Sequence, residues 1–453
     1  MDAFDRIFGY DAIKKELRRT ADALNCPVVY ELIGVTAPKG LLLHGEPGVG
    51  KTMMARALIE ASGRTAYTCR RNEPSGDFIR TIRSTFDKAM DNAPSIVFLD
   101  DLDKFSMSEM GCENEEEYVA VQACIDNLDN GVFVLATANC LHNLPDSLIR
   151  PGRFDKVIYV DPPSGKGAVE ITKHYLSQKS VAEDVDAELI TRIIEGRSCA
   201  MLETAVNAAG LLAGYERLGS ISMHHLILGC IETVFQVPTD LIVPNRKADP
   251  HDPSEPMTRV ACHEAGHTLV AEVLEPGSVT LTCIHDICNY SYGFTACAKP
   301  ENTCIETARI SIMKALAGGA AVEQHFGIRD DGCVQDYENA RRAMYALIAK
   351  DVIRGFSLME SPIEDSDVLR ARQEQAIASE LDQLYETVKR IVANNEGFLE
   401  DLTCALLNKG LLTAPEIQSI KKKYRFSSFE KDETYLPHQA LRSAETSCRM
   451  VAG

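Results

Sequence analysis

Short continuous apolar runs alternate with helical stretches over residues 1 to about 160. The segments Lys39-Gly40-Leu41-Leu42-Leu43-His44, Ser95-Ile96-Val97-Phe98-Leu99 and Val132-Phe133-Val134-Leu135-Ala136 read as buried strands. Uninterrupted apolar strands separated by helices predict a parallel sheet covered on both faces. From 161 to about 237 helical periodicity replaces the strand signal, with Pro162-Pro163 and Pro238 at the two ends, so a small helical lid subdomain is expected. Residues 238–256 carry Pro238, Pro244, Pro250, Pro253 and Pro256 among polar neighbours and read as a linker. A third, mostly helical domain follows over 257–425, and the polar segment 426–453 reads as a loosely held tail. The pattern therefore predicts a multidomain protein: an α/β core with a helical lid, then a mainly α-helical domain.

Composition narrows the functional classes. A chain of 453 residues is long enough for about three cores. Its net charge of -19 would repel phosphates over most of the surface, so no nucleic-acid partner is expected. Fifteen dispersed cysteines follow no disulfide framework and point to a reducing, cytoplasmic setting. The N-terminus lacks a basic region followed by an apolar run, and no apolar stretch reaches the ~18 residues of a membrane span. The longest one, around Val28 to Leu43, is broken by Glu31, Pro38, Lys39 and Gly40. No membrane segment is expected.

Two motifs carry chemistry. The first, Gly45-Glu46-Pro47-Gly48-Val49-Gly50-Lys51-Thr52, is a complete G-x-x-x-x-G-K-T loop between a predicted strand and the helical segment Met53–Ala61. Its glycines let backbone N–H groups turn toward phosphate oxygens. Lys51 brings charge to the β and γ phosphates, and Thr52 offers a hydroxyl to Mg²⁺. The strand at Ile96–Leu99 ends in Asp100-Asp101; Asp100 is placed to support the metal ion and Asp101 to polarise water. The cofactors expected here are ATP and Mg²⁺.

Together with Ala136-Thr137-Ala138-Asn139 and Leu148-Ile149-Arg150-Pro151-Gly152-Arg153-Phe154-Asp155, these segments resemble the AAA+ ATPase core. The resemblance implies that Asn139 senses the γ-phosphate. It implies that Arg150 and Arg153 are arginine fingers reaching a neighbouring subunit's nucleotide, hence a homohexameric ring. Two departures stand out. Asp101 replaces the family's usual glutamate. Pro74, in Asn72-Glu73-Pro74-Ser75-Gly76-Asp77-Phe78, stands where the family's pore loop carries an aromatic. Phe78 reads as a core residue rather than a substitute.

The second motif, His263-Glu264-Ala265-Gly266-His267, lies in the helical segment Arg259–Val273. Its i, i+4 spacing puts both imidazoles on one face, able to hold one Zn²⁺ with Glu264 as general base. Leu316-Ala317-Gly318-Gly319-Ala320-Ala321-Val322-Glu323 and Gly332-Cys333-Val334-Gln335-Asp336 resemble the second and third motifs of FtsH-type AAA+ metalloproteases, and Gly293-Phe294-Thr295 resembles that family's substrate-binding edge strand. The family usually begins with a membrane anchor, whereas this sequence starts at the ATPase core. The resemblance, over roughly residues 4–425, implies an ATP-dependent metalloendopeptidase that threads polypeptide substrates through a ring and cleaves them with zinc-activated water. The alternative is a non-proteolytic remodelling ATPase with a vestigial peptidase domain.

A catalytic zinc needs a third protein ligand. The stretch after His267 offers Val270 and Val273 and no histidine before His285. Asp336, at the start of the helical run Tyr337–Ala349 and at the aspartate of the third family motif, is the candidate, with Glu323 orienting a histidine from outside. Cys283, His285 and Cys288 match no zinc spacing, and Arg70-Arg71 and Lys421-Lys422-Lys423 read as solvated faces.

Overall fold

The computed structural model describes residues 2–424 apart from 36–37, 73, 107–115, 129–130, 243, 245–247, 288–289, 299–303, 330, 351, 354–357 and 361–365. The expected tail 426–453 lies outside the described residues. The chain divides into two units, Met1–Phe235 and Gln236–Gly453.

In the first unit, β1 (Gly40–His44), β2 (Thr65–Cys69), β3 (Ser95–Leu99), β4 (Val132–Ala138) and β5 (Lys156–Tyr159) form one parallel sheet in the order β2-β3-β4-β1-β5. Alternate side chains of a strand leave by opposite faces. Leu41 and Leu43 accordingly join Leu17, Leu58 and Phe133 in one core, and Leu42 joins Phe78, Phe86 and Val97 in the other. Helices α1 (Asp11–Asn25) and α3 (Lys51–Ser62) cover the first face, with α2 (Pro27–Leu32) following α1. Helices α4 (Ser75–Asp91) and α5 (Glu116–Asp126) cover the second. Phe78, Ile82, Phe86 and Ala89 recur at helical spacing along α4 and are all buried, which makes Phe78 a core residue. Four helices complete the unit: α6 (Gly165–Ser177), α7 (Ala187–Ile193), α8 (Cys199–Tyr215) and α9 (Met223–Val234). Ser198 caps α8 by accepting a hydrogen bond from Met201 N at 3.4 Å.

The second unit centres on α10 (Pro256–Leu274), a helix buried on almost every side. It packs against α11 (Ile305–Phe326) through small residues. A Cβ on Gly266 would lie 2.4 Å from Ala321 Cβ and 2.7 Å from the Ala317 carbonyl, so the two helices approach more closely than larger residues allow. Around them lie α12 (Val334–Ala349), α13 (Asp367–Asn394), α14 (Glu396–Lys409) and α15 (Ala414–Lys421). Strands β6 (Val279–Ile287), β7 (Tyr290–Cys297) and β8 (Leu411–Thr413) form an antiparallel sheet in the order β7-β6-β8, leaving β7 at an edge. Among the described residues, no helix is long and apolar enough to cross a membrane.

One expectation needs correction, that of solvated basic faces. The proline-rich stretch makes contacts in its described part. Ile242 packs within 3.1 Å of where a Gly410 Cβ would stand, and Thr258 Oγ1 donates to the Asp249 carbonyl at 3.0 Å. Lys421 is not a solvated charge: its Nζ donates to the fully buried Glu272 carboxylate at 2.7 Å. That carboxylate also accepts from Gly277 N at 3.0 Å and from Gln418 Nε2 at 2.8 Å. Arg71 likewise turns inward, toward the Phe105 carbonyl and Glu117.

Candidate functional site

Sheet order builds the nucleotide pocket. Because β4 lies between β1 and β3, with His44 opposite Ala138 and Leu99 opposite Ala136, the C-terminal ends of the three strands emerge side by side. They deliver Gly45, Asn139 and Asp100 to one edge, the usual ligand edge of a parallel α/β sheet. Gly50 adopts φ 101° immediately before α3, a left-handed conformation that a side chain would disfavour. Lys51 Nζ donates to the carbonyls of Gly45 at 2.7 Å and Glu46 at 2.8 Å, and to Asn139 Oδ1 at 2.9 Å. Burial draws the Lys51 pKa below the ordinary lysine range, against the pull of Asp103, Asp101 and Asp100. Thr52 Oγ1 donates to Asp100 Oδ1 at 3.2 Å, and Thr137 Oγ1 donates to the same oxygen at 2.8 Å. The pocket has a volume of about 810 Å³ in the second unit's counterpart and about 600 Å³ here, where Pro47, Val49, Tyr10, His174 and Cys199 also line it.

Asp101 sits at φ 56° and accepts from Arg70 at 2.9 Å and from Lys104 at 3.0 Å. Burial opposes its charge, but these two cations outweigh burial and hold its pKa below the usual carboxylate value. Arg150 is exposed. Arg153 departs from the expectation of a finger: its side chain is 7% exposed and forms a bidentate pair with Asp126, at 2.8 Å to Oδ1 and 2.6 Å to Oδ2. In this conformation it is committed within its own chain.

The second pocket is built by α10, α11, α12 and β7. His263 Nε2 lies 3.0 Å from Asp336 Oδ2 and 3.0 Å from His267 Nε2, and His267 Nε2 lies 3.3 Å from the same Asp336 oxygen. Donors around a tetrahedral Zn²⁺, at bonds of roughly 2.0–2.1 Å, stand about 3.3 Å apart, so this triangle fits the ion closely. His267 Nδ1 lies 2.7 Å from the Lys314 carbonyl, which fixes the ring and leaves Nε2 for a metal. Burial disfavours charge on His267, but the Asp336 hydrogen bond and the Glu264 carboxylate outweigh it and raise the pKa to about 9. Burial likewise opposes the Asp336 anion, yet hydrogen bonds from the two histidines keep its pKa far below the carboxylate range.

Glu264 is buried beside this triangle, and its Oε2 accepts from Thr295 Oγ1 of β7 at 2.7 Å. Two glycines make room. A Cβ on Gly318 would stand 2.3 Å from His263 Nε2, and one on Gly293 would stand 2.5 Å from Glu264 Cγ. Glu323 does not reach a histidine; it accepts from Tyr385 at 2.7 Å and Arg329 at 2.9 Å. Asp286 is exposed on β6. The carbonyl of Lys314 and the hydroxyl of Thr295 are the parts that sequence reasoning missed. A backbone acceptor leaves no trace in residue identity, while Thr295 was visible only as part of the edge-strand motif.

The profile of the AAA family (ATPase family associated with various cellular activities) matches residues 41–162. The chain is 30% identical over 448 residues to ATP-dependent zinc metalloprotease FtsH 2 of Symbiobacterium thermophilum, covering 92% of this chain and 74% of that one. It is 29% identical to ATP-dependent zinc metalloprotease FtsH of Thermotoga maritima, covering 92% and 72%. It is 34% identical over 283 residues to the chloroplastic FTSH 5 of Arabidopsis thaliana, covering 60% and 39%. With likeness spanning both units, and both pockets formed by the residues that carry it, the chain belongs to the FtsH family of ATP-dependent zinc metalloproteases.

Proposed function

We propose that this chain hydrolyses ATP in a homohexameric ring to draw polypeptides toward a zinc peptidase centre that cleaves them. The observation that carries the reading is the convergence of His263, His267 and Asp336 beside Glu264, in a cavity bordered by an edge strand. His263, His267 and Asp336 would hold Zn²⁺, which supplies a polarised carbonyl and a water of lowered pKa. Glu264 accepts the proton of the attacking water and returns it to the leaving amine. Thr295 keeps its carboxylate aimed while this happens. An extended peptide adds to β7 along Gly293–Thr295 by main-chain hydrogen bonds, which suits substrates chosen by extended conformation rather than by one side chain.

At the other centre, Lys51 exchanges the carbonyls of Gly45 and Glu46 for phosphate oxygens. Asn139, released from Lys51, turns to the γ-phosphate. Thr52 and Asp100 would hold Mg²⁺, which neutralises charge on the β and γ phosphates. Asp101 orients the attacking water once it leaves Arg70 and Lys104. Arg150 is the residue that serves as the finger, and Arg153 anchors its loop to α5 through Asp126.

One assay tests the whole reading: casein degradation with ATP, without nucleotide, and with ATP plus a zinc chelator. Degradation should need both ATP and metal. ATP hydrolysis with casein left intact would overturn the peptidase and leave a remodelling ATPase. That rival is favoured by one observation, the capture of Asp101 by two cations. Equal cleavage with and without nucleotide would confine the ATPase to assembly.

A further inference from the structure

A second cluster of metal-ligand side chains lies in the second unit and shares no residue with the lining of the peptidase cavity. It comprises His251, in the turn that leads into α10, His325, in the last turn of α11, and Glu400, in the first half of α14. One ligand atom from each lies within 4.8 Å of the others. The two imidazole rings face one another with centroids 5.7 Å apart and planes inclined by 34°. From this geometry we infer a second Zn²⁺ site, held by His251, His325 and Glu400, that fastens the segment entering α10 to α11 and α14.

Four arguments support the assignment. Two imidazoles with one carboxylate form a donor set suited to Zn²⁺, whereas Mg²⁺ and Ca²⁺ favour oxygen-only cages. His325 Nδ1 is buried without a hydrogen-bond partner among the described residues, so that nitrogen is left unsatisfied. A shared ion would draw the donors from within 4.8 Å to about 3.3 Å. His251 is exposed and its ring can make that movement, while its backbone is already held: His251 N donates to Asp249 Oδ1 at 3.0 Å. Finally, the turn is fixed to the start of α10, because Thr258 Oγ1 donates to the Asp249 carbonyl at 3.0 Å.

The consequence is mechanical. The three donors come from segments that are far apart in sequence, so an ion at this point closes two long loops. It braces the entry to α10, the helix that carries His263 and His267. Three protein ligands leave a fourth position for water, and the role we assign to the site is structural.

The test is zinc stoichiometry by elemental analysis, on the full chain equilibrated with micromolar ZnCl₂ and desalted. Wild-type protein should carry two zinc ions per chain. H325A and E400Q should each carry one, and D336A should also carry one, now at the His251 site. H325A should keep casein degradation but unfold at a lower temperature in zinc, and added zinc should no longer raise its Tm. Retention of two ions by both H325A and E400Q would overturn the site, as would one ion in wild type with none in D336A. One ion in wild type that survives D336A but is lost in H325A would uphold this site and sink the peptidase metal instead. Should H325A fail to fold, H251A carries the same test, since His251 is exposed, and E400Q carries it as the change that keeps the side chain's size.

Discussion

At the scale of single residues, the peptidase centre depends on what is absent as much as on what is present. Gly318 leaves the space that the His263 ring occupies, 2.3 Å from where a Cβ would stand. Gly318→Ala must displace that ring or push α10 from α11, at a cost of about 1–3 kcal/mol. The expected outcome is a chain that hydrolyses ATP normally, yet loses most of its zinc and nearly all casein cleavage; full zinc occupancy by elemental analysis would show that the ring relocates freely. Glu264→Gln separates chemistry from metal binding. It keeps the ligands and the Thr295 contact but removes the base, so zinc content should be unchanged while cleavage falls by about 10²–10⁴-fold. The meeting of His263 and His267 was legible because they lie one helical turn apart. That Asp336 meets them was legible only with the family motif, being 73 residues from His263. Glu323 was misjudged because proximity in sequence says nothing of its rotation on α11, where it meets Tyr385, Arg329 and Lys389.

At the scale of elements, the central strands were visible because both their faces are buried, giving unbroken apolar runs. The edge strands β2 and β5 were not, since Lys156-Val157-Ile158-Tyr159 alternates half-buried and exposed residues and Thr65–Cys69 is fully buried only at Cys69. Charged residues misled for a related reason: a lysine in a basic run reads as solvated until an unpaired buried acid is found to need it. Lys421 fixes α15 to the C-terminal end of α10 through Glu272, which is fully buried. Lys421→Met strands that carboxylate and should cost about 3–5 kcal/mol, whereas the double change E272Q/K421M should recover most of the loss. Thermal melts of the two variants decide the matter, and equal Tm values would mean the pair contributes little. Arg153 and Asp126 give a parallel case in the first unit. Breaking their pair should cost about 2 kcal/mol from either side. If Arg153 only anchors its loop, Arg153→Ala and Asp126→Ala should lower ATP hydrolysis alike. A loss confined to Arg153→Ala would return it to the role of a finger.

At the scale of the whole molecule, the question is whether nucleotide hydrolysis needs a neighbour. The groups proposed to cradle phosphate come from one chain: the Gly45–Thr52 loop, Asp100 and Asn139 converge through the order of the sheet. Arg150 is exposed, and among the described residues its guanidinium makes no hydrogen bond or ion pair. An unengaged guanidinium in the position of a finger motif is poised to act in another subunit's pocket, where such a group contributes about 10³-fold or more to turnover. Arg150→Ala should therefore retain nucleotide binding and lose hydrolysis. Lys51→Ala should lose nucleotide binding while still presenting Arg150. Neither variant turns over ATP alone, but in mixed rings a Lys51→Ala subunit can supply Arg150 to the intact phosphate loop of an Arg150→Ala neighbour. Mixing the two proteins before adding ATP should thus restore a fraction of wild-type hydrolysis, rising and falling with the mixing ratio. Light scattering on the same mixture, reporting particles larger than a monomer, establishes that the subunits assemble. A mixture of assembled rings no more active than the sum of its parts would confine Arg150 to its own chain and remove the case for trans-acting hydrolysis.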